Sequence, residues 1–400
     1  MRAVVLGGGG LTGRAAVRQL AAGGKFAEVV VADVDPTLAQ AAAGATGPVA
    51  RAVPLDLRDR ASTVTLLRGA TVVVNAAPYA YNLAAMAAAL DAGVPYLDFG
   101  GLFHTTRKQL ELDPPFREAG LLAIPGLGQV PGISNVLAVA AAEHLQTVDS
   151  VVFRDGWRDL AASEGRPFFT WSPATFLDEM VMPAVVYDGG RYREVPPMSE
   201  PEEFDFDPPV GRTRVYRTLH SEPATLPESL RPKGLRSCVW KEGGPGIELL
   251  RSLGQLGLGS ESPLQVGGVQ VVPREFTMAL LRREKLLGPP PGSVPDDWEV
   301  LDVELCGAGP TGPQVVHAVA RFPPWPSWHL AATEYAVGTA GAIGAEMIAA
   351  GEIRASGVVP PERCVPAPEF REALRRRGIE TAIVPPEPPL PAPARTSGRS

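Results

Sequence analysis

Within its first thirteen residues the chain reads Val4-Val5-Leu6-Gly7-Gly8-Gly9-Gly10-Leu11-Thr12-Gly13. An apolar strand running into Gly8-x-Gly10-x-x-Gly13 and then into an alanine-rich helix is the dinucleotide-binding arrangement of strand, tight turn and helix. No other feature constrains the fold as strongly. The glycines let backbone turn sharply and approach a pyrophosphate, while Leu11 and Thr12 open a helix whose free N–H groups and positive dipole end face it. Twenty residues after the turn, Asp33 closes the apolar run 29–32. Its carboxylate suits the adenosine ribose hydroxyls and would repel a 2′-phosphate, and neither Val34 nor Asp35 offers a cation to hold one. The sequence therefore favours NAD over NADP.

At 400 residues the chain exceeds what one core usually supports, so two domains are expected. A net charge of −7 argues against nonspecific binding to nucleic acid or acidic membranes. Cys238, Cys306 and Cys364 lack CxxC or Cys/His spacing, so neither a disulfide framework nor a metal site is expected, and a reducing cytoplasm fits. The first strand starts at about Arg2, which leaves no room for a signal peptide. The most apolar long stretch, 331–350, carries Glu334 and Glu346 and is rich in small residues, so a buried packing helix is expected there, not a membrane span.

Residues 1–125 alternate between short β-branched runs and helical stretches, which predicts a doubly wound parallel sheet covered on both faces, a Rossmann domain. Ligands in such sheets lie beyond the carboxyl ends of the strands, which makes Asp33, Asp56, Asn75 and Asp98 informative. Asp56 and Leu57 suit the adenine edge; Asn75 and Ala76 suit the nicotinamide ribose. From 126 to 330 short strands broken by proline and glycine predict an α+β catalytic and dimerisation domain on a mainly antiparallel sheet. Its strands are expected at 150–154, 194–195, 213–219, 235–239, 300–305 and 315–321. Residues 331–380 are expected as helices returning to the Rossmann domain, and 385–400 as a disordered Pro/Ser/Arg-rich tail.

Four residues are candidates for acid–base chemistry by place alone. Asp98 ends a strand before Gly100-Gly101, where backbone can approach a ligand; Tyr79 follows Asn75. His220 and Glu222 lie at the end of a strand in the second domain and suit ammonium binding or proton relay. His104, just past Gly101, is a further candidate at the substrate. Arg154 and Arg236 each offer a planar fork for a carboxylate.

Over about residues 1–380 the chain resembles the saccharopine dehydrogenase-like family, and within it the lysine 6-dehydrogenase branch. The resemblance rests on Ala32-Asp33-Val34-Asp35, Val73-Val74-Asn75-Ala76, Asp98-Phe99-Gly100-Gly101, Gly126-Leu127-Gly128-Gln129-Val130-Pro131-Gly132, Trp171-Ser172-Pro173 and the segment from Val359 to Pro366. It implies hydride exchange between a nicotinamide cofactor and the C–N bond of an amine or amino acid, in a homodimer paired through the second sheet. It also implies that Trp171 and Ser172 wall the substrate pocket. In the lysine branch the amine-bearing carbon is oxidised by NAD and the imine is hydrolysed. The saccharopine-reductase branch usually has an arginine after Trp-Ser-Pro, where Ala174 stands here; it also usually has an acidic residue between Gly126-Leu127 and Pro131-Gly132 and another just after, where Gly128, Gln129 and Val130, then Ser134 and Asn135, stand. The sequence thus points first to oxidative deamination of lysine or a related basic amino acid. A reductive condensation of the saccharopine or carboxynorspermidine kind is the alternative, followed by a non-catalytic NAD-binding protein.

Overall fold

The computed structural model describes residues 1–161 and 169–388. Strands β1 (Arg2–Leu6), β2 (Glu28–Asp33), β3 (Ala50–Pro54), β4 (Val72–Asn75), β5 (Tyr96–Asp98) and β6 (Leu122–Ile124) alternate with helices, as the periodicity predicts. The chain then builds β7 (Thr147–Asp159), β8 (Ala184–Asp188), β9 (Arg191–Val195), β10 (Ser199–Asp205), β11 (Arg212–Arg217) and β12 (Ser237–Gly243). An excursion follows: the helix Ile247–Gln255, the hairpin β13 (Leu264–Val266) and β14 (Val269–Val271), and the helix Pro273–Arg283. The long strands β15 (Asp297–Gly309) and β16 (Gly312–Phe322), then β17 (Gly357–Val358) and β18 (Glu380–Glu387), complete the strands among the described residues.

The first sheet is parallel, with order β17-β6-β5-β4-β1-β2-β3. Its central strands are apolar on both faces because helices cover both: Val4, Val5, Val30, Val31, Val73 and Val74 are all buried. The second sheet has order β10-β11-β12-β7-β15-β16-β18, with β8 attached to β12 and β9 to β8. It is antiparallel except at the β12–β7 pair.

The apolar stretch 331–350 is the helix Ala332–Ala349, buried as expected. Its small residues admit neighbouring backbone: a Cβ on Gly338 would lie 2.5 Å from the Ala16 nitrogen. Its two acids are each tied to an arginine, Glu334 to Arg14 at 2.7 Å and Glu346 to Arg377 at 2.8 Å. Around this helix one continuous apolar core joins both sheets, from Ala3 and Val5 through Tyr335 and Ile343 to Phe153 and Val303. Among the described residues no helix is long and apolar enough to cross a membrane.

Two expectations are corrected. Residues 331–380 do not all return to the first domain: β17 extends the first sheet, but the helices Pro361–Cys364 and Ala367–Arg376 pack on the helix Ile133–Ala142 of the second, and β18, which follows them, pairs with β16 there. The stretch expected as a tail from 385 is structured at its start, since Pro385 and Pro386 belong to β18; residues 389–400 lie outside the described residues.

Candidate active site

The glycine turn fits a dinucleotide. A Cβ on Gly8 would sit 2.8 Å from Val31 Cγ1, one on Gly9 2.7 Å from Leu38 Cβ, and one on Gly13 would run into the Gly7 carbonyl oxygen. Only bare backbone can make this cradle. The helix Leu11–Ala22 has Gly10 as N-cap with no side-chain cap, so its first N–H groups face outward for an anion. Asp33 is aimed back at the turn: Oδ2 accepts from the Gly9 N–H at 3.0 Å and Oδ1 from the Asp35 N–H at 3.0 Å. Val34 beside it is exposed. Asp56 lies beyond β3 near Asp33, but its carboxylate is taken by Arg58 at 2.6 Å, which holds it down at about 2.

Several side chains expected at the ligand turn out to fasten loops. Asp98 is buried and saturated: it accepts from the Gly100 N–H (2.8 Å), the Gly126 N–H (2.8 Å), the Tyr96 hydroxyl (2.9 Å) and Gln109 Nε2 (2.5 Å). Burial pushes its carboxyl up against the pull of those donors. A carboxylate so committed pins the loops after β5 and β6 together; it is not an acid or base for substrate. Asn75 joins the same network through Asn82 (2.9 Å) and Tyr96 (3.0 Å), and its Oδ1 accepts from the Ala77 N–H, so it organises the turn at Ala76 and does not reach out to a ribose. Gly100 and Gly101 are packing points, Gly100 against Pro131 and Gly101 against Asn82.

His104 is exposed on the helix Leu102–Leu110, its ring edge-on to Phe103. Tyr79 donates its hydroxyl to Asp178 Oδ2 at 2.9 Å, and burial together with that carboxylate keeps the phenol protonated. Asp178 also holds Arg274. Tyr79 therefore clasps the first domain to the second. Trp171 packs on Phe176, ring centres 5.3 Å apart, and Ser172 caps the helix Pro173–Val181 through the Thr175 N–H. Arg154 and Arg236 grip nothing at the site: Arg154 pairs with Glu202 and Glu304, and Arg236 is exposed.

His220 and Glu222 are brought together as expected, and with company. In the register of the second sheet, Tyr216 on β11 stands opposite Glu242 on β12, Glu242 beside Asp155 on β7, and Asp155 opposite Leu301 on β15. These residues share the face that also carries Phe153, Trp240 and Val303, the face turned to the core. Glu299 lies two residues from Leu301 and so on that face too, hydrogen-bonded to Asp155. Onto this row the loop before the helix Glu222–Leu230 lays His220, stacked on Trp240 with ring centres 3.8 Å apart. The His220 Nδ1 is bonded to Glu222, and Nε2 lies 3.9 Å from Glu179 on the helix Pro173–Val181. Glu222 accepts in turn from Ser134 at 2.7 Å, and Glu242 from Thr218.

Five carboxylates, those of Asp155, Glu179, Glu222, Glu242 and Glu299, are thus buried around one imidazole. Among the described residues no lysine or arginine pairs with any of them; Arg154 and Lys241, sequence neighbours of Asp155 and Glu242, serve Glu202 on the other face. Asp155 Oδ1 and Glu179 Oε2 have no hydrogen-bond partner among the described residues. Burial, reinforced by neighbouring carboxylates, pushes Asp155 and Glu179 well above the usual range and raises Glu242 as well. Burial pulls the His220 imidazolium down, but Glu222 and Glu242 outweigh it and its pKa rises. Sequence reasoning missed Asp155, Glu179, Glu242, Glu299 and also Gln129 in the 126–132 loop, whose buried amide has no hydrogen-bond partner among the described residues.

A dinucleotide cradle whose strand ends open onto buried acids and a histidine defines a nicotinamide-dependent oxidoreductase. Both halves of the chain match family models: the Saccharopine dehydrogenase NADP binding domain over residues 3–124 and the Saccharopine dehydrogenase C-terminal domain over residues 128–379. The chain belongs to the saccharopine dehydrogenase family. Carboxyaminopropylagmatine dehydrogenase of Synechocystis sp. is 27% identical to it over 74% of this chain and 75% of its own length. Carboxynorspermidine synthase of Vibrio cholerae is 30% identical over 54% of this chain and 55% of that protein. Apo saccharopine dehydrogenase (L-Glu forming) from Saccharomyces cerevisiae shares the fold at a TM-score of 0.72 and 17% identity, covering 96% of this chain and 99% of that one. Homospermidine synthase from Legionella pneumophila, solved with NAD, does so at 0.62 and 14%, covering 100% and 93%.

Proposed function

We propose that the chain joins an amine to an aldehyde and reduces the resulting imine with a nicotinamide cofactor, the amine carrying more than one cationic group. One observation carries this reading: five buried carboxylates converge on a single histidine, and among the described residues no lysine or arginine pairs with any of them. A buried charge without a partner is costly, so such a site is built for a ligand that brings positive charge. A polyamine or guanidino-alkylamine does so. Lysine oxidation, the first reading of the sequence, would bring an α-carboxylate into the same acids, and neither Arg154 nor Arg236 is placed to receive it. The polyamine-type names of two curated relatives support the same choice.

When bound, the reduced cofactor supplies the hydride that reduces the imine carbon. The protein's own groups handle the protons. An alkylammonium has a pKa near about 10.4 and must lose a proton before its nitrogen can attack. The His220 ring, held by Glu222 and by Trp240, presents Nε2 to take it and to return it to the departing hydroxyl as water leaves. Glu179, whose Oε1 lies 3.9 Å from that nitrogen and whose Oε2 has no hydrogen-bond partner among the described residues, holds the ammonium before it is deprotonated. The contacts of Asp33 favour NADH over NADPH.

The test is oxidation of NADH by the purified protein with aldehydes and amines supplied singly and in pairs. Turnover is expected only when both partners are present and is expected to improve with diamines. NAD reduction by lysine alone would overturn the reading.

A further inference from the structure

The condensation has a proton to find. An alkylammonium, an aldehyde, reduced nicotinamide and one proton give a secondary ammonium, oxidised nicotinamide and water. His220 takes a proton from the amine and gives it back when water leaves, so it contributes none to the balance. The proton on the product nitrogen has to enter the buried site from outside.

One path of hydrogen bonds leads out of the acid cluster. Asp155 is bonded to Glu299, and a bond between two carboxyl groups requires a proton on one of them. Glu299 Oε2 accepts from Thr333 Oγ1 at 2.7 Å, and Thr333 Oγ1 from Thr170 Oγ1 at 3.1 Å. Both threonines are half-buried, whereas Asp155 and Glu299 are nearly closed to solvent. The far oxygen of Asp155 has no protein partner among the described residues. The path draws on four separate pieces of the chain: β7, the start of β15, the first turn of the helix Ala332–Ala349, and Thr170 just before the helix Pro173–Val181.

We propose that Asp155 and Glu299 share one proton and deliver it to the reacting amine once per turnover, and that Thr333 and Thr170 replace it from water. In the delivery step an O–H bond of the pair breaks and an N–H bond forms on the secondary amine. The carboxylate left behind takes the hydroxyl proton of Thr333, Thr333 that of Thr170, and Thr170 one from water. The groups facing the pair are Glu242 on β12, His220 and Glu222 from the loop beside it, Glu179 on the helix Pro173–Val181, and Asp159 and Asp297 at the ends of β7 and β15. Nearly all are acids, and their negative charge favours a proton held on the pair until a cation arrives. The inference rests on the site being one of C–N oxidation or reduction; in the oxidative direction the same path carries the proton outward.

Two measurements test it. The first needs no substrate: infrared difference spectra of the protein against Asp155→Asn at neutral pH should show the carbonyl band of a protonated carboxyl group that this variant lacks and that Glu299→Gln shifts. Absence of that band overturns the proposal, whatever the protein turns over. The second uses any amine substrate that supports hydride transfer. Thr333→Val should slow turnover by about tenfold and enlarge the solvent deuterium isotope effect, and Asp155→Asn should slow it by about a hundredfold, within the usual span of proton-transfer catalysis. Thr333→Ser, which keeps the hydroxyl, should restore the rate, and NADH affinity should stay unchanged in all. A Thr333→Val protein with normal turnover and isotope effect overturns the relay. Failure of every amine and aldehyde overturns the proposed function and leaves the infrared result to decide the pair.

Discussion

Single side chains divide between those that face the ligands and those that hold the frame, and residue type alone does not say which. Asp33 and Asp98 both end parallel strands. Asp33 keeps its carboxylate at the glycine turn, whereas Asp98 spends every acceptor on loop N–H groups and side chains. Asp33→Ala should therefore weaken NADH binding by roughly tenfold or more, the worth of a hydrogen bond to a charged group, and erode the preference over NADPH. Titrations of both cofactors check this. His220 and Glu222 give a pH prediction whose sign is fixed by their contact. The carboxylate raises the His220 pKa, and the neutral ring is the form that accepts the amine's proton. Activity should rise as pH climbs through that raised value. In Glu222→Gln the rise should move to lower pH and turnover should fall by about a hundredfold, as for loss of an acid–base partner. A limb that stays in place would remove His220 from that role.

At the scale of elements, the first domain was legible because its strands are apolar throughout and its turns carry Gly, Asn and Asp. The site was legible only in part. The strands predicted at 150–154, 235–239 and 300–305 each stop one to three residues short of Asp155, Glu242 or Glu299, where the apolar pattern ends. The strands themselves continue through those acids, because the sheet ladder and the packing of the helix Ala332–Ala349 carry them on. Hydrophobic periodicity reads burial that stabilises; these strand ends are buried for a ligand, and that reversal hides them. Glu179 escaped because it follows Asp178 on the helix Pro173–Val181 in a stretch with no motif to mark it, and only the fold lays it beside His220. Tyr79 and Asp98 looked catalytic because loops at strand ends usually carry function, and their partners are revealed only by the fold. Asp98→Asn tests the structural reading. It sets an amide among N–H donors and should cost about 2–4 kcal/mol of stability, the range for an unsatisfied buried group, as read by denaturant unfolding. His220's pH limb should not move with it.

For the whole molecule, one core joins both sheets, so the acid cluster weighs on the stability of the entire chain. Unfolded, Asp155 and Glu179 would ionise near about pH 4, as ordinary carboxylates do. Folded, burial makes them hold their protons to higher pH. The unfolded state therefore releases protons first, and these two groups cost stability progressively as pH rises from about 4 through their raised values. A cation bound among them reverses that cost. Thermal unfolding at mildly alkaline pH should accordingly shift upward when a diamine or triamine is added to the protein without cofactor, and a monoamine of equal length should shift it less. Glu179→Gln removes one of the charges that the empty site cannot balance. It should raise the stability of the free protein by about 1 kcal/mol at that pH, the scale of many stabilising substitutions. It should also abolish most of the protection given by the polyamine and raise the KM for the amine. A variant that is less stable than the parent, yet equally protected by the same amine, would show that Glu179 serves the fold and not the ligand.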